Sequence, residues 1–128
     1  MKILGIGNAI VDVICKVNDE FIVNNKLTKS NMKLIFDENE FKRLLSSLKI
    51  EKTISGGSVA NSIVGLSQLG NDVGFIGKIS DDKLGNEYET GLKKENVKYI
   101  YDKKKEVLPT GTCLILVTPD SKRTMYKF

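Results

Sequence analysis

The sequence of 128 residues contains no histidine and no tryptophan, and it has only two cysteines and two prolines. Without histidine, Ser-His-Asp triads, Cys-His pairs and the usual zinc sites lack an essential ligand or base. Cys15 and Cys113 each lie in an apolar run and neither belongs to a CxxC motif, which predicts buried structural thiols. We therefore expect no metal site and none of the reactions that depend on histidine.

Long hydrophobic runs are also missing. No segment approaches the roughly 18–20 consecutive apolar residues of a membrane-spanning helix, and the first residues lack the regions that define a signal peptide. The hydrophobic content of 41% fits one globular domain. We expect a cytoplasmic protein that does not engage a membrane.

The charge of the chain is only modestly positive, at +4. Lysines are interleaved with acidic residues, and the one dense cluster, at 103–105, is bounded by Asp102 and Glu106. This pattern is typical of an exposed loop rather than of a surface that follows phosphates. We expect no nucleic-acid partner.

Strand and helix character alternate along the chain. The apolar pattern predicts strands at 2–7, 10–17, 32–36, 52–55, 73–79, 97–101, 111–118 and from 123 onward. Helices are predicted to begin at Asp37, at the Gly56-Gly57 pair and at Asp82, the two aspartates acting as N-caps. Gly65, inside the second helix, predicts close packing on a neighbouring element. The alternation indicates an α/β domain with a parallel sheet.

The run Gly56-Gly57-Ser58-Val59-Ala60-Asn61 joins two glycines to a helix start. Glycines let backbone N–H groups approach a polar ligand, and the first turn of a helix leaves unpaired donors. The amide of Asn61 can donate and accept, which suits sugar hydroxyls. The alternative is an ordinary Gly-rich loop followed by a helix with a solvated asparagine.

Asp12 is a charged residue within the apolar segment 10–17. A carboxylate among apolar neighbours needs a partner or a ligand because leaving it unpaired is costly. The alternative is a carboxylate satisfied by the protein or by water.

Several motifs occur in order over nearly the whole chain: GIGNAIVD at 5–12, GGSVAN at 56–61, Asp82-x-x-Gly85, Thr110-Gly111-Thr112 and PDSKRTM at 119–125. This ordered set resembles the N-terminal part of the PfkB, or ribokinase-like, family of carbohydrate and nucleoside kinases, especially adenosine kinase-like bacterial sugar kinases. The resemblance implies that residues 1–128 form the N-terminal part of a ribokinase-like α/β domain. That fold has a central, mostly parallel sheet, flanking helices and a small β lid, here from strands near 10–17, 32–36 and 111–118.

The resemblance also implies how a sugar or nucleoside is bound. The carboxylate and the amide would hold sugar hydroxyls, the glycine pair would offer backbone donors, and two further polar residues would approach a base in members that use nucleosides. The substrate-binding residues implied in this way are Asn8, Asp12, Gly56, Gly57, Ser58 and Asn61. We expect these groups to converge on one polyhydroxylated ligand.

The chain departs from the family pattern in one respect. The GAGD-type signature, which supplies the catalytic base and an anion hole, has no counterpart, and neither has the ATP-binding region. Phosphoryl transfer requires those elements, so we expect no catalytic residue here and an inactive chain when it is alone. A terminal hairpin without a closing helix also suggests the front part of a longer protein.

Two hypotheses follow. In the first, the chain is the acceptor-binding portion of an ATP- and Mg²⁺-dependent kinase that phosphorylates a hydroxyl of a sugar or nucleoside. In the second, it is a truncated, non-catalytic module that binds a ligand or forms a homodimer through its lid strands.

Overall fold

The computed structural model describes residues 2–103 and 105–128. Its elements are β1 (Lys2–Ile6), β2 (Ile10–Lys16), α1 (Asp19–Asn24), β3 (Met32–Leu34), α2 (Glu38–Ser46), β4 (Ile50–Gly56), α3 (Ser58–Gln68), β5 (Asp72–Ile76), α4 (Lys83–Lys94), β6 (Lys98–Tyr99), β7 (Thr112–Val117) and β8 (Arg123–Lys127). The chain divides into a first unit, Met1–Val11 with Ile54–Gly111, and a second unit, Asp12–Thr53 with Thr112–Phe128.

The first unit contains a three-stranded sheet in the order β1-β5-β6, and both strand pairs are parallel. Helices α3 and α4 pack on one face of this sheet. A Cβ at Gly5 would lie 2.5 Å from the Ile63 side chain of α3, and the ring of Tyr88 in α4 lies 6.2 Å from that of Phe75 in β5. The α/β organisation and the parallel sheet predicted from the alternating pattern are therefore confirmed.

The second unit holds most of a five-stranded sheet with the order β3-β8-β7-β2-β4. Strands β7 and β8 form an antiparallel hairpin, and β8 also pairs with β3 in parallel. Helix α2 contributes Phe41, whose ring stacks on Phe128 at 5.2 Å. The strands predicted at 10–17, 32–36 and 111–118 are present in this sheet, and their role as a lid stays a prediction.

Both cysteines are buried and free, as their apolar neighbours predict. Burial raises the pKa of the Cys15 and Cys113 thiols, so the unreactive protonated form is favoured. Within the described residues, no helix combines the length and the apolar character that a membrane crossing requires. Lys104, the centre of the predicted lysine loop, lies outside the described residues.

The two predicted aspartate caps are confirmed. Asp37 accepts a hydrogen bond from the backbone N–H of Asn39 at 2.8 Å. Asp82 accepts from the N–H of Gly85 at 2.7 Å, and its other oxygen accepts from the N–H of Thr110 at 2.8 Å. Asp82 therefore caps α4 and also anchors the loop that leads to β7.

Helix α1 was not predicted from the sequence. Asn18 caps it by accepting from the N–H of Phe21 at 2.8 Å, and Asp19 and Glu20 occupy its first turn. This cap and the acidic turn are the signals that identify its start. The helix has only six residues and buries only Ile22, so it has no apolar stripe from which its period can be recognised.

The prediction that Gly65 packs closely on a neighbour is wrong, because a Cβ at this position meets no atom within 4 Å. Since glycine in a helix costs about 0.5–1 kcal/mol relative to alanine, Gly65→Ala is expected to stabilise the protein by about that amount in urea denaturation. Gly91→Ala in α4 is the matched control: its Cβ would clash with Ser55 Oγ, so it is expected to destabilise. Equal effects of the two substitutions would contradict this assignment.

Candidate functional site

The candidate site in the first unit begins where β1 ends. The backbone N–H of Gly7 donates to the Ile76 carbonyl at 3.1 Å, so the carboxyl ends of β1 and β5 stay together at this edge. The next residue, Asn8, is exposed. In open parallel sheets, ligands bind outside the carboxyl ends of the strands, which is where the structure places Asn8.

Gly57 lies directly against Asn8. Its φ of 98° is in the region that favours glycine, and a Cβ on Gly57 would lie 2.5 Å from the Asn8 carbonyl oxygen. No side chain fits in that space. The structure therefore brings together two of the predicted site residues that are distant in sequence, and it explains why the second glycine of the pair is needed.

Helix α3 differs from the other helices at its N-terminus. The N-caps of α1, α2 and α4 are Asn18, Asp37 and Asp82, and each accepts a hydrogen bond from the first turn. The N-cap of α3 is Gly57, which has no side chain to do so. Because no side chain among the described residues caps α3, its first N–H groups can donate to an external acceptor, and the helix dipole favours a negative or oxygen-rich group there.

Gly56 is held in place by α4. It is buried, and its carbonyl accepts a hydrogen bond from the hydroxyl of Tyr88 at 3.2 Å. Ser55 supports the same arrangement, because its hydroxyl donates to the Tyr88 carbonyl at 3.1 Å. Tyr88 was not among the predicted site residues. Its place on the apolar face of α4 indicates burial, but the sequence does not identify the partner of its hydroxyl.

Ser58 and Asn61 occupy the start of α3, and both are exposed. The backbone N–H of Asn61 donates to the Gly57 carbonyl at 2.9 Å, which closes the first helical turn. Among the residues that the structure describes, the side-chain amides of Asn61 and Asn8 have no hydrogen-bond partner. Both amides are therefore free to donate to and accept from a ligand.

Asp12 lies in the second unit, on β2, where it is half-buried. Burial raises the pKa of its carboxyl, and the nearby positive charge of Lys127 offsets only part of this effect. Within the described part of the chain, no donor is hydrogen-bonded to this carboxylate. The other five predicted residues belong to the first unit, so convergence of all six on one ligand stays a prediction.

The raised pKa of Asp12 has a consequence for stability. Between the pKa of the unfolded chain and the higher pKa of the folded state, the native protein binds more protons, so its stability falls as pH rises through that window. Asp12→Asn removes this penalty and is expected to raise stability at pH 7 by roughly 0.5 kcal/mol, a small value because a half-exposed carboxylate is screened. The gain should vanish below about pH 4. Thermal melts of the wild type and of Asp12→Asn between about pH 4 and pH 7 test this prediction. An Asp12→Asn variant that is less stable than the wild type at pH 7 would contradict it.

Comparison with known proteins yields one family. Residues 15–128 match the profile described as pfkB family carbohydrate kinase. The 5-dehydro-2-deoxygluconokinase of Mesomycoplasma hyopneumoniae strain 232 is 29% identical over 109 residues, which are 85% of this chain and 31% of that protein. The chain therefore spans about a third of the length of this curated relative.

Two solved structures share the fold over nearly the whole chain. A probable sugar kinase from Rhizobium etli CFN 42 matches with a TM-score of 0.84 and 34% identity, over 99% of this chain and 38% of its own. Adenosine kinase from Sinorhizobium meliloti matches with a TM-score of 0.84 and 32% identity, over the same shares. The ribokinase-like fold predicted from the ordered motifs is confirmed.

Proposed function

We propose that this chain, which belongs to the pfkB family of carbohydrate kinases, is the acceptor-binding portion of a kinase that phosphorylates a hydroxyl of a sugar or nucleoside. The single observation that carries the proposal is the start of α3, which has no side-chain cap and lies against Asn8 through Gly57. Donors of the helix start and exposed amides are thereby available at the carboxyl edge of a parallel sheet.

These groups match the chemistry of a polyol. A hydroxyl both donates and accepts, so it is bound best by a mixture of backbone N–H donors and amides that do either. In the proposal, the N–H groups at the start of α3 donate to hydroxyl oxygens, and Asn8 and Asn61 orient further hydroxyls or a base. Asp12 accepts a hydrogen bond from a sugar hydroxyl, which would offset the cost of burying its charge.

The phosphate donor in this proposal is ATP with Mg²⁺. The residues present do not fit that pair: the described residues contain no cluster of three acidic, cysteine or histidine side chains able to hold a metal ion, and the sequence contains no GAGD-type segment. We therefore assign the donor site and the catalytic base to the part of a pfkB domain outside these 128 residues, and we derive no transfer step from this chain.

The two groups of relatives point to different acceptors. The curated relative is a 5-dehydro-2-deoxygluconokinase and one solved structure is an adenosine kinase. Thermal shift of the full natural protein with each acceptor, and with ribose and fructose, separates the candidates. A ligand present at 100 times its Kd stabilises the folded state by about 2.7 kcal/mol, whereas an acceptor that does not bind leaves the melting temperature unchanged.

The chain offers a matched control for this experiment. Asn61 is the fourth residue of α3 and Asn86 is the fourth residue of α4, and both are exposed. The backbone N–H of each bonds to the N-cap carbonyl at 2.9 Å. Asn61→Ala is expected to reduce the ligand-induced shift and Asn86→Ala to preserve it. Equal shifts in the two variants, or no shift with any acceptor, would reject the proposed site.

A second candidate function, homodimerisation through the lid strands, is favoured by the edge strand β3. Met32 and Leu34 are 53% and 57% exposed, and Phe36 just beyond the strand is 89% exposed. Exposed apolar side chains on an edge strand favour pairing with another chain. Sedimentation of Leu34→Glu should show loss of a dimer, whereas Val23→Glu on α1, which is also exposed, should not change the oligomeric state.

A further inference from the structure

Lys127 lies in the same row of the five-stranded sheet as Asp12. It is the register partner of Cys113 in β7. On the other side of β7, the N–H of Val17 in β2 donates to the Val117 carbonyl at 3.0 Å, and this register places Asp12 beside Cys113. Asp12, Cys113 and Lys127 therefore form one row across three adjacent strands, and the whole row belongs to the second unit.

The three side chains of this row share one face of the sheet, because residues in register on neighbouring strands point the same way. The next position on each strand, Val13, Leu114 and Tyr126, points to the other face and is buried. Asp12 and Lys127 are only half-buried. The row therefore lies on the less buried face of the sheet, where both charged groups can be reached by a small molecule.

The ammonium of Lys127 has no close counter-ion. The structure gives it neither a hydrogen bond nor an ion pair with any described residue. Neighbouring strands lie about 4.8 Å apart, so the backbone of Lys127, two strands from Asp12, is about 10 Å away. Its nearer neighbours carry no charge: Cys113 and Leu34 are its register partners, and Met125 precedes it on the same face. A half-buried cation in such surroundings favours a bound anion.

The charge of Lys127 acts on Asp12 without neutralising its effect. It lowers the pKa of the Asp12 carboxyl, but burial raises that pKa by more. Both charges also act on the Cys113 thiol between them, Asp12 raising its pKa and Lys127 lowering it. The row thus has a hydrogen-bond acceptor at one end and a cation at the other, close enough to influence each other and too far apart to pair.

We infer that Lys127 binds an anionic group of the acceptor, so that the substrate class is a sugar acid, an inference that rests on the proposed function. Asp12 accepts a hydrogen bond from a hydroxyl of this acceptor, and the ammonium of Lys127 donates to its carboxylate. A neutral sugar or nucleoside leaves Lys127 without a counter-ion, so it gains nothing from this residue. Lys127 is therefore a specificity-determining residue.

Kinetics and thermal shift of the full natural protein test this inference with two sugar acids, 5-dehydro-2-deoxygluconate and gluconate, and with adenosine, ribose and fructose as neutral acceptors. The wild type should prefer a sugar acid. Lys127→Gln is expected to lower kcat/KM for that acid by roughly 10- to 100-fold, mainly through KM, because one charge-assisted hydrogen bond is lost. Lys127→Arg keeps the charge and should keep most of the activity.

Lys33→Gln is the matched control. Lys33 is an exposed lysine of the same sheet, and its register partner Tyr126 points to the face opposite to Lys127. This variant removes the same charge and should retain wild-type kinetics with every acceptor. Lys127→Met, which suits the apolar neighbours, is a second variant without the charge if Lys127→Gln does not fold.

Three results would overturn the inference: a wild type that prefers a neutral acceptor, wild-type kinetics of Lys127→Gln with the sugar acid, and equal losses of Lys127→Gln with acidic and neutral acceptors. The last result would show that Lys127 only supports Asp12. In all three cases an acceptor still binds, so the proposed function stands. The absence of a thermal shift with any acceptor would instead reject the proposed function, and the two failures are therefore distinguishable.

Discussion

Gly57→Ala is expected to destabilise the folded protein by about 2–4 kcal/mol, which combines the strain of a backbone region that is nearly restricted to glycine with a steric clash. The clash is specific, since the new Cβ would lie 2.5 Å from the Asn8 carbonyl oxygen. Relief of the clash moves Asn8 away from the start of α3, so the ligand-induced thermal shift should also be lost. Urea denaturation and thermal shift of the variant measure the two effects.

Gly70→Ala provides the control for backbone strain alone. Gly70 has a φ of 85°, similar to that of Gly57, but a Cβ there meets nothing within 4 Å. Its substitution is expected to cost about 1–2 kcal/mol and to leave ligand binding unchanged. If Gly57→Ala lowers the free energy of unfolding by no more than Gly70→Ala does, the close approach of Gly57 to Asn8 is not a constraint on the fold.

Asp12→Ala is expected to lower kcat/KM of the full kinase by about 100-fold or more, because loss of one positioning contact misaligns the acceptor hydroxyl. We expect KM to rise and kcat to fall together. Asp12→Asn keeps one acceptor oxygen, so its kcat/KM should fall less than that of Asp12→Ala. Steady-state kinetics with the best acceptor from the thermal-shift screen provide the measurement.

The stability of the Asp12→Ala variant is a second measurement for this residue. Because burial raises the pKa of its carboxyl, removal of the charge is not expected to destabilise the protein, and a thermal melt of Asp12→Ala separates a loss of activity from unfolding. Asp19 is an exposed residue in the same unit, and the control variant Asp19→Ala should retain wild-type kinetics. Wild-type kinetics from Asp12→Ala would remove this residue from the acceptor site.

Local patterns predicted most of the secondary structure correctly. The helical spacing after Asp37 and Asp82 and the apolar runs of β1, β5 and β7 reflect backbone periods that depend only on neighbouring residues. Helix α1 was missed because it has a cap but only one buried side chain. Gly65 was misread because a helical glycine looks the same in sequence whether a neighbour approaches it or open space surrounds it.

The sequence by itself determined the α/β alternation, the aspartate caps, the buried thiols and the ordered motifs that identify a pfkB chain. Only the tertiary structure decided that Gly57 lies against Asn8, that the Tyr88 hydroxyl donates to the Gly56 carbonyl, and that the apolar side chains of Leu4 and Ile6 are exposed. The physical reason is the range of the interactions. Periods and caps depend on residues a few positions apart, whereas pairing, burial and hydrogen-bond partners depend on segments that are distant in sequence and meet only in the folded chain.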